Sequence, residues 1–380
     1  MIIGIDGNEA NIEKRVGVNE YAFKIIWNLY KLQEKGESSH NLIVYLKEKP
    51  LGDLPKEKQN FKYKIISGRG LWVITKLMPY LLTNPDHIDV LFSPSHYTVP
   101  FSLVPRVCAI MDLGYLEFSG QFTKKVFWQL KWGSAMSIIV SKRIISISES
   151  VKKDIVRHYP FARNKTSVSY LGYDKERFNT SIPASDVRRV KNRYAIVDDY
   201  ILYLGTLKPS KNVAGLIKAF GEVAKKYPKL KLVIAGKKGW LYESIYKSAE
   251  NEGLNEKIVF TDFFSESDKP ILFRGAKVFA LPSFWEGFGL DALYSLACGV
   301  PVVASDVGSI PEVVGDAGVL IDPHNTSDIA RGIIKVLSMD KDEYNKLAEK
   351  GILLVTISSL EIKKDLLYLP IVPLPFSIFI

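Results

Sequence analysis

The stretch PSFWEGFGLDALYSLACGVPVVASDVGSIPEVVG, residues 282–315, decides the fold. It begins at the end of an apolar run, KVFALPS (277–283), and passes through a glycine-containing loop into the apolar-rich segment 290–298. A second apolar run, PVVAS (301–305), follows at once. Strand, loop, helix and strand in this order form the repeating unit of α/β proteins with parallel sheets. The stretch therefore predicts such a sheet, with its loop at the carboxyl end of a strand, where these sheets bind ligands.

The same alternation of apolar runs and helical stretches continues along the whole chain. Helical period is clearest in NVAGLIKAFGEVAKKYP (212–228), whose apolar residues fall on one stripe. Nearly continuous apolar runs are typical of strands that are covered on both faces. They predict strands at 1–7, 41–46, 63–67, 89–94, 106–112, 143–149, 166–172, 200–206, 231–236, 258–263, 277–283, 301–305 and 318–322. The predicted fold class is α/β, with two doubly wound, Rossmann-like domains facing a cleft.

The polar segment around residues 174–199 is the best place for a domain boundary. We therefore predict an N-terminal domain over 1–180, a C-terminal domain over 181–350 and an atypical tail over 351–380. Two cysteines, Cys108 and Cys298, lie far apart in apolar surroundings, which favours a reducing compartment and gives neither a disulfide framework nor a metal-ligand spacing.

The net charge of +10 is concentrated in the first half of the chain. Residues 1–180 carry 26 Lys/Arg against 17 Asp/Glu, whereas residues 181–380 carry 25 against 24. This asymmetry indicates an anionic partner, such as a membrane surface or a lipid-linked substrate, although scattered solubilising lysines would give the same count. Nucleic acid is disfavoured, because no recognisable binding module accompanies the charges.

The N-terminus has no signal-peptide pattern, and the apolar end at 366–380 is too short and proline-rich for a transmembrane helix.

A candidate phosphate site follows the strand at 200–206. The loop TLKPSKN delivers Lys211 to the start of the helix at 212–228, where free backbone N–H groups and the helix dipole favour an anion. A second loop, AGKKGW (235–240), adds glycines and two lysines at another strand end. The alternative is a turn that merely starts the helix, with Lys211 in solvent.

Glu286 lies in the loop of the opening stretch, beside the bare backbone of Gly287 and Gly289. A carboxylate there can accept hydrogen bonds from sugar hydroxyls, and glycine lets a ligand approach the main-chain amides. The alternative is an acid that complements the helix dipole. In the first half, Gly17 precedes a helix and Asp112 ends a strand; Asp112 either orients substrate or caps a turn, and the local sequence favours the cap.

Taken together, these segments resemble the retaining glycosyltransferases of family 4, which have the GT-B fold. The matching pieces are NIEKRVGVNEYAF, MDLGYLEF, LGYDKERF, GTLKPSKN, LVIAGKKGW and the segment 275–323, GAKVFALPSFWEGFGLDALYSLACGVPVVASDVGSIPEVVGDAGVLIDP. The resemblance implies transfer of a hexose from a nucleotide-diphosphate sugar to an acceptor hydroxyl, with the anomeric configuration kept. It implies no metal and no cofactor beyond the donor, and an acceptor that is a glycan or a lipid-linked molecule.

The resemblance also assigns site residues. It implies catalytic roles for Glu286, Lys211 and Asp112, with Glu286 positioning the sugar. The donor-binding residues that it implies are Gly17, Gly205, Thr206, Lys208, Gly236, Lys237, Gly287, Phe288, Gly289, Leu290 and Tyr294. Family habits and the basic first half suggest a mannose- or glucose-type donor and a cytoplasmic protein, peripheral at the inner face of the plasma membrane.

Three positions depart from the family pattern. Tyr294 stands where relatives carry a second Glu that holds the ribose hydroxyls, Ser210 where many carry Arg, and Met111 where many carry His. A phenol cannot bind two neighbouring hydroxyls as a carboxylate does, so weaker donor affinity or altered nucleotide preference is expected. The tail at 351–380 also differs from the usual ending of relatives, and a disrupted reading frame is one explanation. Two alternatives therefore remain: an inactive, glycosyltransferase-like binding protein and a sugar-nucleotide epimerase of the same fold.

Overall fold

A computed structural model describes residues 1–121 and 123–365. They form two compact units, of which the first contains Met1–Tyr170 and the second Leu171–Glu361. The sequence places the boundary ten residues later, at 180/181. The difference has a packing cause, because Phe178 is buried and its ring contacts those of Phe273 and Tyr294 in the second unit.

The first unit is built on a seven-stranded parallel sheet with the order β3-β2-β1-β4-β5-β6-β7. Its strands are β1 (Ile2–Asp6), β2 (Asn41–Leu46), β3 (Phe61–Ile65), β4 (Val90–Ser93), β5 (Arg106–Ile110), β6 (Arg143–Ser146) and β7 (Thr166–Val168). Its α-helices are α1 (Val18–Glu34), α2 (Met78–Thr83), α3 (Gly114–Glu117), α4 (Lys124–Val140) and α5 (Glu149–His158), with a π-helical turn at Val73–Leu77 and 3₁₀ turns at Ser119–Gln121 and Pro160–Lys165.

The core of the first unit forms where α1 covers the middle of this sheet. Ile3 and Ile5 of β1 are buried together with Ile25 and Ile26 of α1. The chain leaves β1 in one direction to β2 and later returns to β4 on its other side. This reversal of strand order creates a crevice at the carboxyl ends of β1 and β4, where doubly wound sheets bind ligands.

The second unit has a six-stranded parallel sheet with the order β10-β9-β8-β11-β12-β13. Its strands are β8 (Tyr200–Leu204), β9 (Lys231–Ala235), β10 (Ile258–Asp262), β11 (Val278–Leu281), β12 (Val302–Ser305) and β13 (Gly318–Ile321). The α-helices of the second half are α6 (Ala184–Arg193), α7 (Val213–Lys226), α8 (Glu243–Asn251), α9 (Lys269–Gly275), α10 (Leu290–Ala297), α11 (Ile310–Val314), α12 (Thr326–Leu337) and α13 (Lys341–Asp365), with 3₁₀ turns at Pro209–Lys211 and Gly315–Ala317.

The predicted apolar stripe of 212–228 forms the inner face of α7. All of its members are buried in the core of the second unit: Val213, Leu216, Ile217, Phe220, Val223 and Ala224. The strand order of this sheet reverses between β8 and β11, which are hydrogen-bonded neighbours. The α/β fold class with two doubly wound sheets is thus confirmed, and the loops that follow β8 and β11 come together at one edge.

No helix within residues 1–121 and 123–365 has both the length and the apolar run that a membrane span requires. Of the predicted tail, residues up to Asp365 continue α13. The remaining apolar end, 366–380, lies outside the described residues.

Candidate active site

Lys211 and Glu286 meet at the point where the strand order of the second sheet reverses. Lys211 ends the 3₁₀ turn after β8, and Glu286 follows β11. The Lys211 ammonium donates to Glu286 Oε1 at 2.6 Å, and the Ser283 hydroxyl donates to the same oxygen at 2.8 Å. The two charged side chains are only 18% and 14% exposed. The lysine and the acid of the two predicted loops therefore form a partly buried ion pair.

The backbone holds the two loops in this arrangement. The Phe284 amide donates to the Ser210 carbonyl at 2.9 Å, which joins the turn after β8 to the loop after β11. The Glu286 carbonyl accepts from the Ser309 hydroxyl at 2.9 Å. A Cβ on Gly308, whose φ is +59°, would lie 2.7 Å from that carbonyl oxygen. The Glu286 carbonyl is therefore held by Ser309 and packed closely against Gly308, which fixes the main chain that carries the carboxylate before any ligand arrives.

Asn212 connects the turn that carries Lys211 to the loop after the edge strand β13. It adopts a left-handed conformation with φ +51° and begins α7. Its buried side chain donates to the Pro323 carbonyl, beyond β13, at 2.7 Å. Left-handed backbone is tolerated by Asn better than by most residues. The helix start that carries Lys211 is thus tied to a third loop.

The loop after β9 packs against the loop after β8 with almost no space between the two backbones. The Gly205 amide donates to the Ala235 carbonyl at 2.9 Å, and the Leu207 amide to the Lys237 carbonyl at 3.0 Å. Gly205 and Gly236 have φ values of +152° and +153°, which side chains disfavour. A Cβ on Gly236 would lie 1.9 Å from the Gly205 carbonyl oxygen. Glycine is therefore required for this contact.

Except for Leu290 and Tyr294 of α10, the predicted donor-binding residues of the second unit lie on three loops at the carboxyl edge of its sheet. Thr206 and Lys208 follow β8, and the Lys208 carbonyl accepts from the Lys211 amide at 3.0 Å. Gly287 and Phe288 lead from Glu286 to the start of α10. Gly289 precedes that helix with φ +85°, and its first residue is Leu290. Helix α10 thus begins four residues after Glu286.

Tyr203 lies beneath this site with a fully buried side chain. Its hydroxyl has no hydrogen-bond partner within the described part of the chain. Burial, together with the charges of Glu286 and Asp291, raises the Tyr203 pKa well above its ordinary value. The phenol therefore stays neutral and cannot act as a base at physiological pH.

Tyr294 contributes to packing. Its ring stacks on Phe178 with centroids 4.0 Å apart and planes 5° apart, and it meets Phe273 edge-on at 6.3 Å. The Lys269 ammonium lies 4.7 Å from the centre of the ring and pairs with Asp291 at 2.8 Å. The residue that replaces the second acid of the family pattern thus fastens α10 to residues 171–180.

Restoring the acid at this position is expected to weaken the fold. Tyr294→Glu should lower the free energy of unfolding by about 2–4 kcal/mol, because it removes a stacked aromatic ring and leaves a gap beside Phe178. Tyr294→Phe keeps the ring and should cost less than about 1.5 kcal/mol. Urea unfolding followed by circular dichroism measures both values. Equal stability of Tyr294→Glu and the wild type would show that the stack contributes little.

The first unit places its predicted residues at the carboxyl edge of its own sheet. Asp112 follows β5, and its Oδ1 accepts from the Gly114 amide at 3.0 Å, which closes the turn that leads into the short helix α3. Gly17 precedes α1 with φ +54°, and a Cβ there would meet nothing within 4 Å. Met111 packs beside the core of this unit.

Three titratable groups at this edge were not predicted from the sequence. Asp6 ends β1, Glu9 follows it, and His96 follows β4. Burial raises the pKa of Glu9, against an opposing effect of Lys47, and Asn19 donates to its carboxylate. Burial lowers the pKa of His96, whereas the Asp112 carboxylate opposes that change. The sequence could have indicated them by their position, because all three lie at or after the ends of β1 and β4, where the strand order of the sheet reverses.

Asp6 should make stability depend on pH. Burial raises its pKa from an ordinary 3.8 to about 6, against the lowering effect of hydrogen bonds from the Asn8 amide and side chain. Between these pH values the folded protein holds a proton that the unfolded chain has lost. Stability therefore falls as pH rises from about 4 to about 6, by an amount on the order of 3 kcal/mol.

Asp6→Asn removes this titration while keeping the shape and an acceptor oxygen for Asn8. The stability of the variant relative to wild type should therefore be greater at pH 7.5 than at pH 4, by up to about 3 kcal/mol. Denaturant titrations at the two pH values give the comparison. A difference that does not change with pH would contradict the raised pKa.

Within residues 1–121 and 123–365, no group of three or more His, Cys, Asp or Glu side chains is arranged to hold a metal ion.

Comparison with known proteins finds a family match within the second unit. Residues 188–353 match the family model described as glycosyl transferases group 1. Over 267 residues the chain is 28% identical to an O-antigen chain mannosyltransferase B of Escherichia coli, a match covering 69% of this chain and 68% of that protein. It is 30% identical over 210 residues to the serotype-specific mannosyltransferase WbdA of Escherichia coli, covering 54% of this chain but only 25% of that protein.

Solved structures share the fold at low sequence identity. Anabaena HepE in complex with UDP and glucose superposes with a TM-score of 0.73 at 17% identity, over 96% of this chain and 97% of that one. WaaG, a glycosyltransferase involved in lipopolysaccharide biosynthesis, gives a TM-score of 0.71 at 16% identity, over 96% and 99%. At these identities the likeness shows the fold alone. The family match, by contrast, includes both Lys211 and Glu286.

Proposed function

We propose that this protein is a glycosyltransferase that moves a mannose- or glucose-type hexose from a nucleotide-diphosphate sugar to an acceptor hydroxyl. The match of residues 188–353 to the model described as glycosyl transferases group 1 supports this proposal. The anomeric configuration is retained, and the donor is a co-substrate with no resident cofactor. The observation that carries the proposal is the contact of Lys211 with Glu286 at the β8/β11 crevice.

Two opposite charges suit the two ends of the bond that breaks. Cleaving the sugar–phosphate bond builds negative charge on the departing diphosphate, which the Lys211 ammonium and the amides at the start of α7 stabilise. The Glu286 carboxylate accepts hydrogen bonds from sugar hydroxyls. A diphosphate that binds Lys211 competes with Glu286 for the ammonium, so donor binding separates the pair and frees the carboxylate for the sugar.

The proposed transfer keeps the configuration by attack on the same face. The acceptor oxygen forms a bond to the anomeric carbon as the diphosphate leaves, and a diphosphate oxygen takes the acceptor's proton. Glu286 acts as a positioning group in this scheme and forms no bond to the sugar. Asp112 and Gly17 of the first unit have proposed roles that rest on the family resemblance alone.

The relatives support the substrate class. The name of mannosyltransferase B refers to an O-antigen chain, and HepE was crystallised with UDP and with UDP-glucose. We therefore propose a nucleotide-activated hexose as donor and a growing cell-surface glycan as acceptor. The excess of basic residues in 1–180 supports work at the cytoplasmic face of the plasma membrane, on a lipid-linked acceptor.

A panel of nucleotide sugars tests the proposal. GDP-mannose, UDP-glucose and their counterparts with exchanged bases are incubated with the protein, and free sugar, free nucleotide and thermal shift are recorded. One donor should raise the melting temperature and undergo slow hydrolysis, because water replaces a missing acceptor. Glu286→Gln is the matched variant, which should lose hydrolysis. Binding without turnover would favour an inactive binding protein, and a converted sugar nucleotide would favour an epimerase.

A further inference from the structure

Helix α4 exposes an apolar face to solvent. Its inner face is anchored in the first unit, where Ser137 is buried and accepts from the Thr98 amide at 3.0 Å. A second row of side chains, spaced by three or four residues, points outward. Their exposed fractions are 47% for Trp128, 67% for Trp132, 41% for Met136 and 56% for Ile139. We call these four residues the α4 outer face. Since neighbouring exposed apolar side chains of this size mark interaction sites, this face indicates a partner.

The two tryptophans stack on each other on this face. Their rings stack with centroids 6.2 Å apart and planes 20° apart. The Lys131 ammonium lies 5.0 Å from the centre of the Trp128 ring. Indole rings combine a large apolar body with an N–H donor, which suits the boundary between lipid headgroups and acyl chains.

The sequence segment that carries the α4 outer face is basic. From 119 to 142 the chain carries four lysines, Lys124, Lys125, Lys131 and Lys142, and no acidic residue. A second copy of this chain meeting the same face across a two-fold axis would bring lysines against lysines. An anionic surface would instead pair with them. Charge therefore selects between the two possible occupants.

We propose that the α4 outer face docks on a lipid bilayer that contains anionic lipid. Trp128 and Trp132 enter the headgroup region, and the lysines contact the anionic headgroups. This inference deepens the membrane location in the proposed function by naming the surface. It does not depend on which donor is used, and its test is separate from the donor panel.

Vesicle co-sedimentation of the full chain tests the docking surface. One set of vesicles contains phosphatidylcholine alone, and the other contains phosphatidylcholine with about one-third phosphatidylglycerol. Wild type should bind the second set and not the first, with affinity that falls in high salt. Trp128→Gln/Trp132→Gln should weaken binding at least tenfold. Lys124→Gln/Lys125→Gln/Lys131→Gln should weaken it about 100-fold, since each lysine near an anionic surface contributes several-fold.

Matched controls remove equal charge or a comparable apolar side chain elsewhere. Lys225→Gln/Lys226→Gln/Lys229→Gln changes three exposed lysines of the second unit. Leu353→Gln changes a leucine that is 59% exposed. Both should bind vesicles like wild type, and all variants should keep the nucleotide-induced thermal shift. A lost shift with intact vesicle binding would count against the proposed function alone.

Two results would overturn the docking proposal. One is wild-type protein that binds neither vesicle set, or binds both equally with the α4 variants unchanged. The other is a concentration-dependent dimer, seen by light scattering without lipid, that the tryptophan variant abolishes. That second result would assign the α4 outer face to an interface between copies of the chain.

Discussion

Replacing Lys211 with methionine is expected to lower kcat/KM for sugar transfer about 100- to 1,000-fold, the loss typical of removing one group that stabilises developing negative charge. Methionine keeps most of the aliphatic length but has no ammonium. The variant leaves the Glu286 carboxylate, only 14% exposed, with the Ser283 hydroxyl as its remaining partner on that oxygen. Initial rates with the best donor from the panel give the measurement.

Lys225→Met is the matched control, because Lys225 is an exposed lysine in the last turn of α7, at the other end of the helix that Lys211 precedes. It should keep the wild-type rate. Circular dichroism establishes that both variants fold. A Lys211→Met enzyme within threefold of wild type would remove the ammonium from the mechanism, and with it the reason for placing the diphosphate at this turn.

The second large effect is expected at Gly236. Gly236→Ala should lower the free energy of unfolding by at least about 3 kcal/mol, because the new methyl group clashes with backbone and φ is unfavourable for alanine. The atom it meets is the Gly205 carbonyl oxygen, at 1.9 Å. Relief requires the loop after β8 to move, so donor affinity should fall as well. Urea unfolding and nucleotide thermal shift measure the two effects.

Gly253→Ala separates the clash from backbone strain. Gly253 also has a positive φ, +64°, but a Cβ there meets nothing within 4 Å. This variant should cost only about 1 kcal/mol and leave nucleotide binding unchanged. If the two alanine variants were equally stable, the close approach of the two loops would not be required for the fold.

The sequence alone predicted the architecture well because its signals are long and redundant. Each strand of both sheets overlaps an apolar run that pattern reading marks as a strand, and the stripe of α7 is buried residue by residue. The loops that carry Lys211 and Glu286 were identified for the same reason: each follows a buried strand and precedes a helix. Parallel strands bring such loops to one edge.

Contacts between residues that are distant in sequence could not be predicted. Nothing local indicates that Tyr294 stacks on Phe178, which lies 116 positions earlier and draws residues 171–180 into the second unit. The 2.6 Å contact of Lys211 with Glu286 likewise depends on a register that only the folded sheet provides. Asp6 and His96 were missed because single polar residues after a strand are common and their burial is invisible in sequence. The roles of the site residues stay predictions, to be decided by the variants above.

The tether from Asn212 to the Pro323 carbonyl affects how the protein can discriminate among donors. A turn that is tethered in this way is ordered during folding, so a bound diphosphate gains its contacts without a further loss of loop entropy. The same stiffness prevents the turn from reshaping around a longer or shorter phosphate chain. Nucleoside monophosphates should therefore bind much more weakly than nucleoside diphosphates, because the turn cannot move to contact a shorter phosphate chain.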